Sequence, residues 1–181
     1  KSGKFGSDAD MRAYEDGAVA VEVMPLHMND DSNITLTGLR AELARLKAVQ
    51  GIQWFALDYL LMLSGYENMT REDERSAKLS IGVKRIARDL DLAALTVNSV
   101  TKDGMGGGLP TSKQLRGSGQ VVHDADLIAF LVQNQQVKDW IDLVFTKTRE
   151  VDGGERTINL KKCNDYPAFE QTTKREPGRY P

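Results

Sequence analysis

Apolar positions along the chain follow two rhythms. Leu36, Leu39, Leu43 and Leu46 recur every three or four residues, the period of one helix face. Thr35 stands where a cap is needed, and Gly51 is placed to end that helix. The rhythm returns at Leu79, Val83, Ile86 and Leu90, predicting a long helix over 71–92. An earlier helix, running to Val21, is signalled by Ser7 with Asp10 three places on, an approximate capping box.

The second rhythm is the uninterrupted run. Ile52–Leu57 (broken only by Gln53), Ala93–Val97 and Leu127–Val132 read as strands buried on both faces. A shorter strand is expected at Pro25–Met28, ahead of a polar turn at 29–33. Trp140–Thr148 and Arg156–Lys162 alternate, and Val151-Asp-Gly-Gly-Glu155 between them is a strong hairpin signal. Ser64, Gly65 and Asn68 mark one loop, and KDGMGGGLPTSK (102–113) marks another, followed by a short helical stretch near Lys113–Val122. From Asn164 onward, with Pro167, Pro177 and Pro181, an irregular tail is expected.

Strands alternating with helices predict an α/β fold: a mostly parallel sheet flanked by helices and closed by a C-terminal antiparallel hairpin. In open α/β sheets ligands gather beyond the carboxyl ends of the strands. Asp58, Asn98 and the glycine-rich loop all fall at such ends.

Composition narrows the function classes only a little. The 181 residues suffice for one domain, or for a large piece of one, and 28% of them are charged. A net charge of −2 supplies no global basic field, so a nucleic-acid partner would have to meet a local patch. Cys163 is the single cysteine, which excludes an internal disulfide and fits a reducing compartment. No apolar run has membrane-spanning length. The first residue is Lys1 and the amino end is polar, the expectation for a cut or processed chain.

Asp58 closes an apolar strand, as a Walker B acid must if a rigid strand is to carry it to Mg²⁺ and a nucleotide's phosphates. Acids in this position also cap helices or pair with bases. The segment Lys1-Ser-Gly-Lys-Phe-Gly-Ser7 is not a phosphate loop, because Phe5 replaces the metal-binding hydroxyl and no strand precedes it. Lys147 and Arg149 lie two apart and therefore leave the same strand face. They are either solubilising charges or a pair of cations aimed at phosphate. Lys102, Lys113 and Arg116 flank the glycine-rich loop, which is either a plain connection or a track for a nucleic-acid backbone. His27, His123 and Cys163 lack metal-ligand spacing, and no GxSxG element occurs.

Four stretches in order resemble the motor domain of DnaB-like replicative DNA helicases. They are LHMNDDSNITLTGLRAELARLK (26–47), FALDYLLML (55–63), LRGSGQVVHDADLIAFL (115–131) and FTKTREVDGGERTINL (145–160). The second is close to the family's hydrophobic-Asp-Tyr-Leu-Gln-Leu-Met signature, with Leu61 in place of Gln. In the third, Gly117 replaces the family's Glu. The resemblance implies a RecA-like P-loop NTPase core over 1–163, lacking its phosphate loop and catalytic glutamate, with 164–181 as tail.

The resemblance also implies roles. Asp58 would be the Walker B acid on Mg²⁺, and Asn98 stands where the family has a γ-phosphate-sensing Gln. Lys147 and Arg149 would reach the neighbouring subunit's ATP, with Arg149 as arginine finger. Lys102, Lys113 and Arg116 would lie near single-stranded DNA. The complete protein would be a hexameric, ATP-dependent DNA helicase in the cytoplasm of a bacterium or phage-infected cell, with primase or a helicase loader as partner. The chain alone would hydrolyse ATP negligibly. A non-catalytic RecA-like assembly or DNA-binding module and a recombination ATPase are the alternatives.

Overall fold

The computed structural model describes residues 7–100, 111–115, 118–134, 137, 139–149, 156–163 and 168–171. Two compact units, Lys1–Asp31 and Ser32–Pro181, divide the chain. The first contains helix α1 (Asp8–Glu22). Ser7 Oγ accepts from the Asp10 backbone N–H at 3.2 Å and donates to the Asp10 carboxylate at 2.9 Å, so the predicted cap is in place. No residue of α1 is buried. The strand expected at Pro25–Met28 does not form: these residues are coil, and Met28 is 85% exposed. A strand needs a neighbour to take up its backbone donors and acceptors, and the described residues provide none there.

In the second unit, α2 (Leu36–Gln50) begins at Thr35, whose hydroxyl oxygen accepts from the Gly38 N–H at 3.1 Å. It ends at Gly51, which takes the left-handed conformation (φ 68°) that glycine adopts without penalty. Helix α3 (Glu72–Asp89) starts with Glu72, Asp73 and Glu74 and carries Arg88 in its last turn, charges that complement the helix dipole. The two helices meet closely. A Cβ at Gly82 would stand 2.3 Å from Leu36 Cδ1, so glycine there admits the Leu36 side chain.

Strands β1 (Trp54–Leu57) and β2 (Ala93–Thr96) pair in parallel, with Phe55 beside Ala94 and Leu57 beside Thr96. Phe55 joins Leu39 and Leu43 of α2 and Leu79, Val83 and Ile86 of α3 in the main core. Trp54, Ala56, Ala93 and Leu95 share the opposite face and are exposed. The runs that read as two-sided strands are thus covered on one side by the described residues.

Leu115 leaves a short 3₁₀ turn (Ser112–Gln114) in an extended conformation and bridges to Val100. The single helical stretch expected near Lys113–Val122 is therefore split, and α4 (Ser118–Asp124) follows separately. Strands β3 (Leu127–Gln133), β4 (Trp140–Thr148), β5 (Arg156–Lys162) and β6 (Phe169–Gln171) form an antiparallel sheet in that order. The predicted pairing of β4 with β5 is present, while its connection (150–155) lies outside the described residues. The antiparallel part is larger than expected, since β3 pairs with β4. Residues 169–171, expected to be irregular, pair along β5, whose edge would otherwise leave backbone groups without partners. Asp142 on β4 is fully buried and accepts from Asn159 Nδ2 at 2.7 Å and Asn134 Nδ2 at 3.2 Å.

Leu79 is 0% exposed at the centre of the main core. Leu79→Ala should destabilise the fold by about 3 kcal/mol, the transfer cost plus that of a residual cavity. In urea the unfolding midpoint should fall with an unchanged slope; an unchanged midpoint would contradict the packing.

Candidate functional site

Asp58 is the first residue after β1 and Asn98 the second after β2, so both stand at the carboxyl edge of the parallel pair. Backbone bonds hold the edge together. Val97 N–H donates to Leu57 O at 2.9 Å, and Leu60 N–H donates to Val97 O at 3.2 Å. Leu60 and Leu63, each 2% exposed, anchor the turn beyond Asp58 in the main core. Asp58 itself is exposed, is joined to Tyr59 by a cis peptide bond, and has no hydrogen-bond or ion-pair partner among the described residues. Asn98 is half-buried, and its Nδ2 lies 3.3 Å from Thr96 Oγ1.

A carboxylate without a partner among the described residues, at a strand end, suits Mg²⁺. That ion keeps several waters and takes one or two carboxylates together with substrate phosphates. No cluster of three or more metal-ligating His, Cys, Asp or Glu side chains occurs among the described residues. No GxxxxGK[ST] element occurs in the 181 residues.

The predicted cations lie elsewhere, at the end of β4. Lys147 Nζ donates to the carbonyls of Val122 and His123. Arg149 donates from Nη2 to His123 O and from Nη1 to Asp126 Oδ1 at 3.0 Å. Both thus meet the free carbonyls at the C-terminal end of α4, where positive charge is favoured. Burial, followed by the nearby Arg149 charge, holds the Lys147 ammonium pKa below its ordinary value.

A β-bulge puts them there. Ile128 pairs with Lys147, but Ala129 pairs with Phe145, so Thr146 is an extra residue on β4. Inward positions on β4 are Asp142 and Val144; regular alternation would continue them to Thr146 and Thr148. The inserted residue reverses the parity and turns Lys147 to the side of Ile128, where α4 packs.

The cluster includes residues to which the sequence assigned no role. Lys84 of α3 pairs with Asp126 Oδ2. Ser80 Oγ and Gln120 Nε2 donate to the two oxygens of Asp124 at 2.8 and 2.7 Å. The Lys84 hydrogen bond, with the Lys84 and Arg149 charges, holds the Asp126 carboxyl below the usual carboxylate range. The Asp124-Ala-Asp126 triplet ahead of an apolar strand was the available signal. Its partners lie far away in sequence and left none.

Beside this cluster, β2 and β3 each present an edge with no strand neighbour among the described residues. Between them lies a groove of about 730 Å³, with Ala93, Ala94 and Thr96 on one side and Ala125 and Leu127 on the other. Of the predicted DNA-facing residues, Lys102 and Arg116 lie outside the described residues, and so does the Lys113 side chain. The geometry therefore brings Asp58 and Asn98 to one edge, and Lys147 and Arg149 to the end of α4.

Known proteins share this fold. The fold aligns with a solved DnaB-like replicative helicase described with its interactions with primase, at TM-score 0.80 and 21% identity, covering 92% of this chain and 42% of that one. A second solved structure, described as an ATPase domain, aligns at the same TM-score and identity over 92% of this chain and 61% of its own. The fold is therefore RecA-like. Among curated relatives, the replicative DNA helicase DnaB of Leifsonia xyli is 33% identical over 154 residues, and that of Geobacillus stearothermophilus is 26% identical over 154. Each match covers 80% of this chain and 33% of the relative, so the chain spans about a third of their length. The DnaB-like helicase C-terminal domain profile matches residues 1–171, and the chain belongs to that family.

Proposed function

We propose that this chain is part of the motor of an ATP-dependent replicative DNA helicase, acting as a ring on single-stranded DNA in the bacterial or phage-infected cytoplasm. The observation that carries the reading is Asp58: an exposed carboxylate without a partner among the described residues, held at the carboxyl end of a parallel strand beside Asn98. Asp58 would hold Mg²⁺, which would screen the phosphate oxygens of bound ATP. Asn98 would orient the terminal phosphate, and Lys147 and Arg149 would serve the nucleotide of an adjacent subunit.

The phosphate loop would come from outside these 181 residues. The exposed outer face of Trp54, Ala56 and Leu95, and the groove between the edges of β2 and β3, are surfaces for that remainder to cover. Residues 1–163 would belong to the motor, with β6 (Phe169–Gln171) of the 164–181 tail completing its antiparallel sheet. The likeness to a helicase described with primase supports a primase-type partner, with a helicase loader as the other candidate.

The engagement of Lys147 and Arg149 with α4 carbonyls favours a second reading, a RecA-like module that assembles without catalysis. ATP turnover by the complete protein separates the two, and unwinding without strand exchange separates a helicase from a recombination ATPase.

DNA contact is assigned to Lys102, Lys113 and Arg116. Binding of single-stranded DNA by the complete protein should weaken steeply with salt, and each alanine substitution should lower the log–log slope by about 0.7. Fluorescence anisotropy titrations over a range of salt concentrations measure this. Salt-insensitive affinity, or slopes unchanged in all three variants, would remove these residues from the DNA path.

A further inference from the structure

We propose that Asp126 is a positioning residue for Arg149, an inference that rests on the reading of Arg149 as the cation serving a neighbouring subunit. Three contacts converge on Asp126, two from Arg149 and one from Lys84. Its Oδ1 accepts from Arg149 Nη1 at 3.0 Å, and its backbone carbonyl accepts from the Arg149 N–H at 2.9 Å. Its Oδ2 is taken by Lys84 from α3. One carboxylate oxygen is thus tied to the main-core helix and the other to the guanidinium.

A free arginine side chain samples many rotamers, and ordering it at the moment of reaction is unfavourable. Here the guanidinium is oriented beforehand. Asp126 holds one terminal nitrogen and the His123 carbonyl holds the other. The bulge at Thr146 sets the strand parity and Asp126 sets the direction of the side-chain tip. A group aimed before its target arrives contributes more to a transition state than one that must search. The Asp126–Lys84 pair further couples this orientation to α3, whose Leu79 and Val83 pack in the same core as Phe55 of β1, the strand that leads into Asp58.

The test uses the complete protein with single-stranded DNA and compares Asp126→Asn, Asp126→Glu and Arg149→Ala. Asn preserves the shape but not the charge, whereas Glu preserves the charge. Asp126→Asn should lower kcat about 10- to 100-fold with KM for ATP within about twofold, the scale for misplacing a reacting group. Asp126→Glu should recover most of that loss, and the thermal midpoint and ring assembly of both variants should match wild type. Full kcat in Asp126→Asn beside an inactive Arg149→Ala overturns this inference alone. Wild-type turnover in Arg149→Ala overturns the underlying reading as well. A fall in kcat with a matching loss of thermal midpoint or ring assembly also overturns it, because Asp126 would then be acting on the fold.

Discussion

Arg149→Ala in the complete protein should leave ATP binding intact and lower DNA-stimulated hydrolysis by about 10³- to 10⁵-fold, the range for an arginine finger. The side chain sits at the end of β4, oriented by Asp126 and the His123 carbonyl. Asp58 and Asn98 stand at a different place, the carboxyl edge of the parallel pair. On the proposed reading, Arg149, held apart from Asp58 of its own chain, would act on a neighbour's nucleotide. Losing the α4 cap accounts for a stability change of only about 0.3–1 kcal/mol. A larger fall in thermal midpoint would therefore mean that Arg149 matters chiefly to the fold. The trans-acting role has its own readout. Rings mixed from Arg149→Ala and Asp58→Ala subunits should regain part of the activity, since some interfaces combine an intact acid with an intact arginine. No recovery at any mixing ratio would refute action between subunits.

Asp58→Ala in the complete protein should lower Mg²⁺-dependent hydrolysis by at least about 10²- to 10³-fold, the loss typical of one electrostatic group at a reacting centre. The fold should be indifferent. Asp58 is exposed and without a partner among the described residues, and surface substitutions of that kind usually stay within about 0.5 kcal/mol. Leu60 and Leu63 hold the adjoining turn in the core whatever side chain stands at 58. Steady-state phosphate release with a parallel urea titration reads both quantities. Wild-type turnover would sink the Walker B assignment, and an early unfolding midpoint would recast Asp58 as a structural acid.

Several features were legible because their causes are local. Ser7 and Thr35 each bond a backbone donor three residues on, and Gly51 takes a conformation set by its own lack of a Cβ. The leucine face of α2 and the Leu79–Ile86 face of α3 follow from helix period alone, and both enter the main core. Asp58 and Asn98 were placed at strand ends by the same local logic. The strand expected at Pro25–Met28 failed for the converse reason: strand character needs a partner, and an apolar tetrapeptide does not specify one.

By itself, then, the sequence determined α1 and α2 with their caps, the apolar face of α3, the apolar runs of β1, β2 and β3, the family resemblance and the acid at the end of β1. Tertiary structure alone decided where Lys147 and Arg149 point. Their spacing of two guarantees a shared face, yet which face depends on strand pairing, and the extra residue at Thr146 reverses it. It also decided that Lys84 and Asp126, 42 residues apart, meet beside Arg149. Side-chain alternation is a property of one strand and can be read along it. Register, bulges and charge pairing belong to two or more segments at once, and exist only when the chain has brought them together.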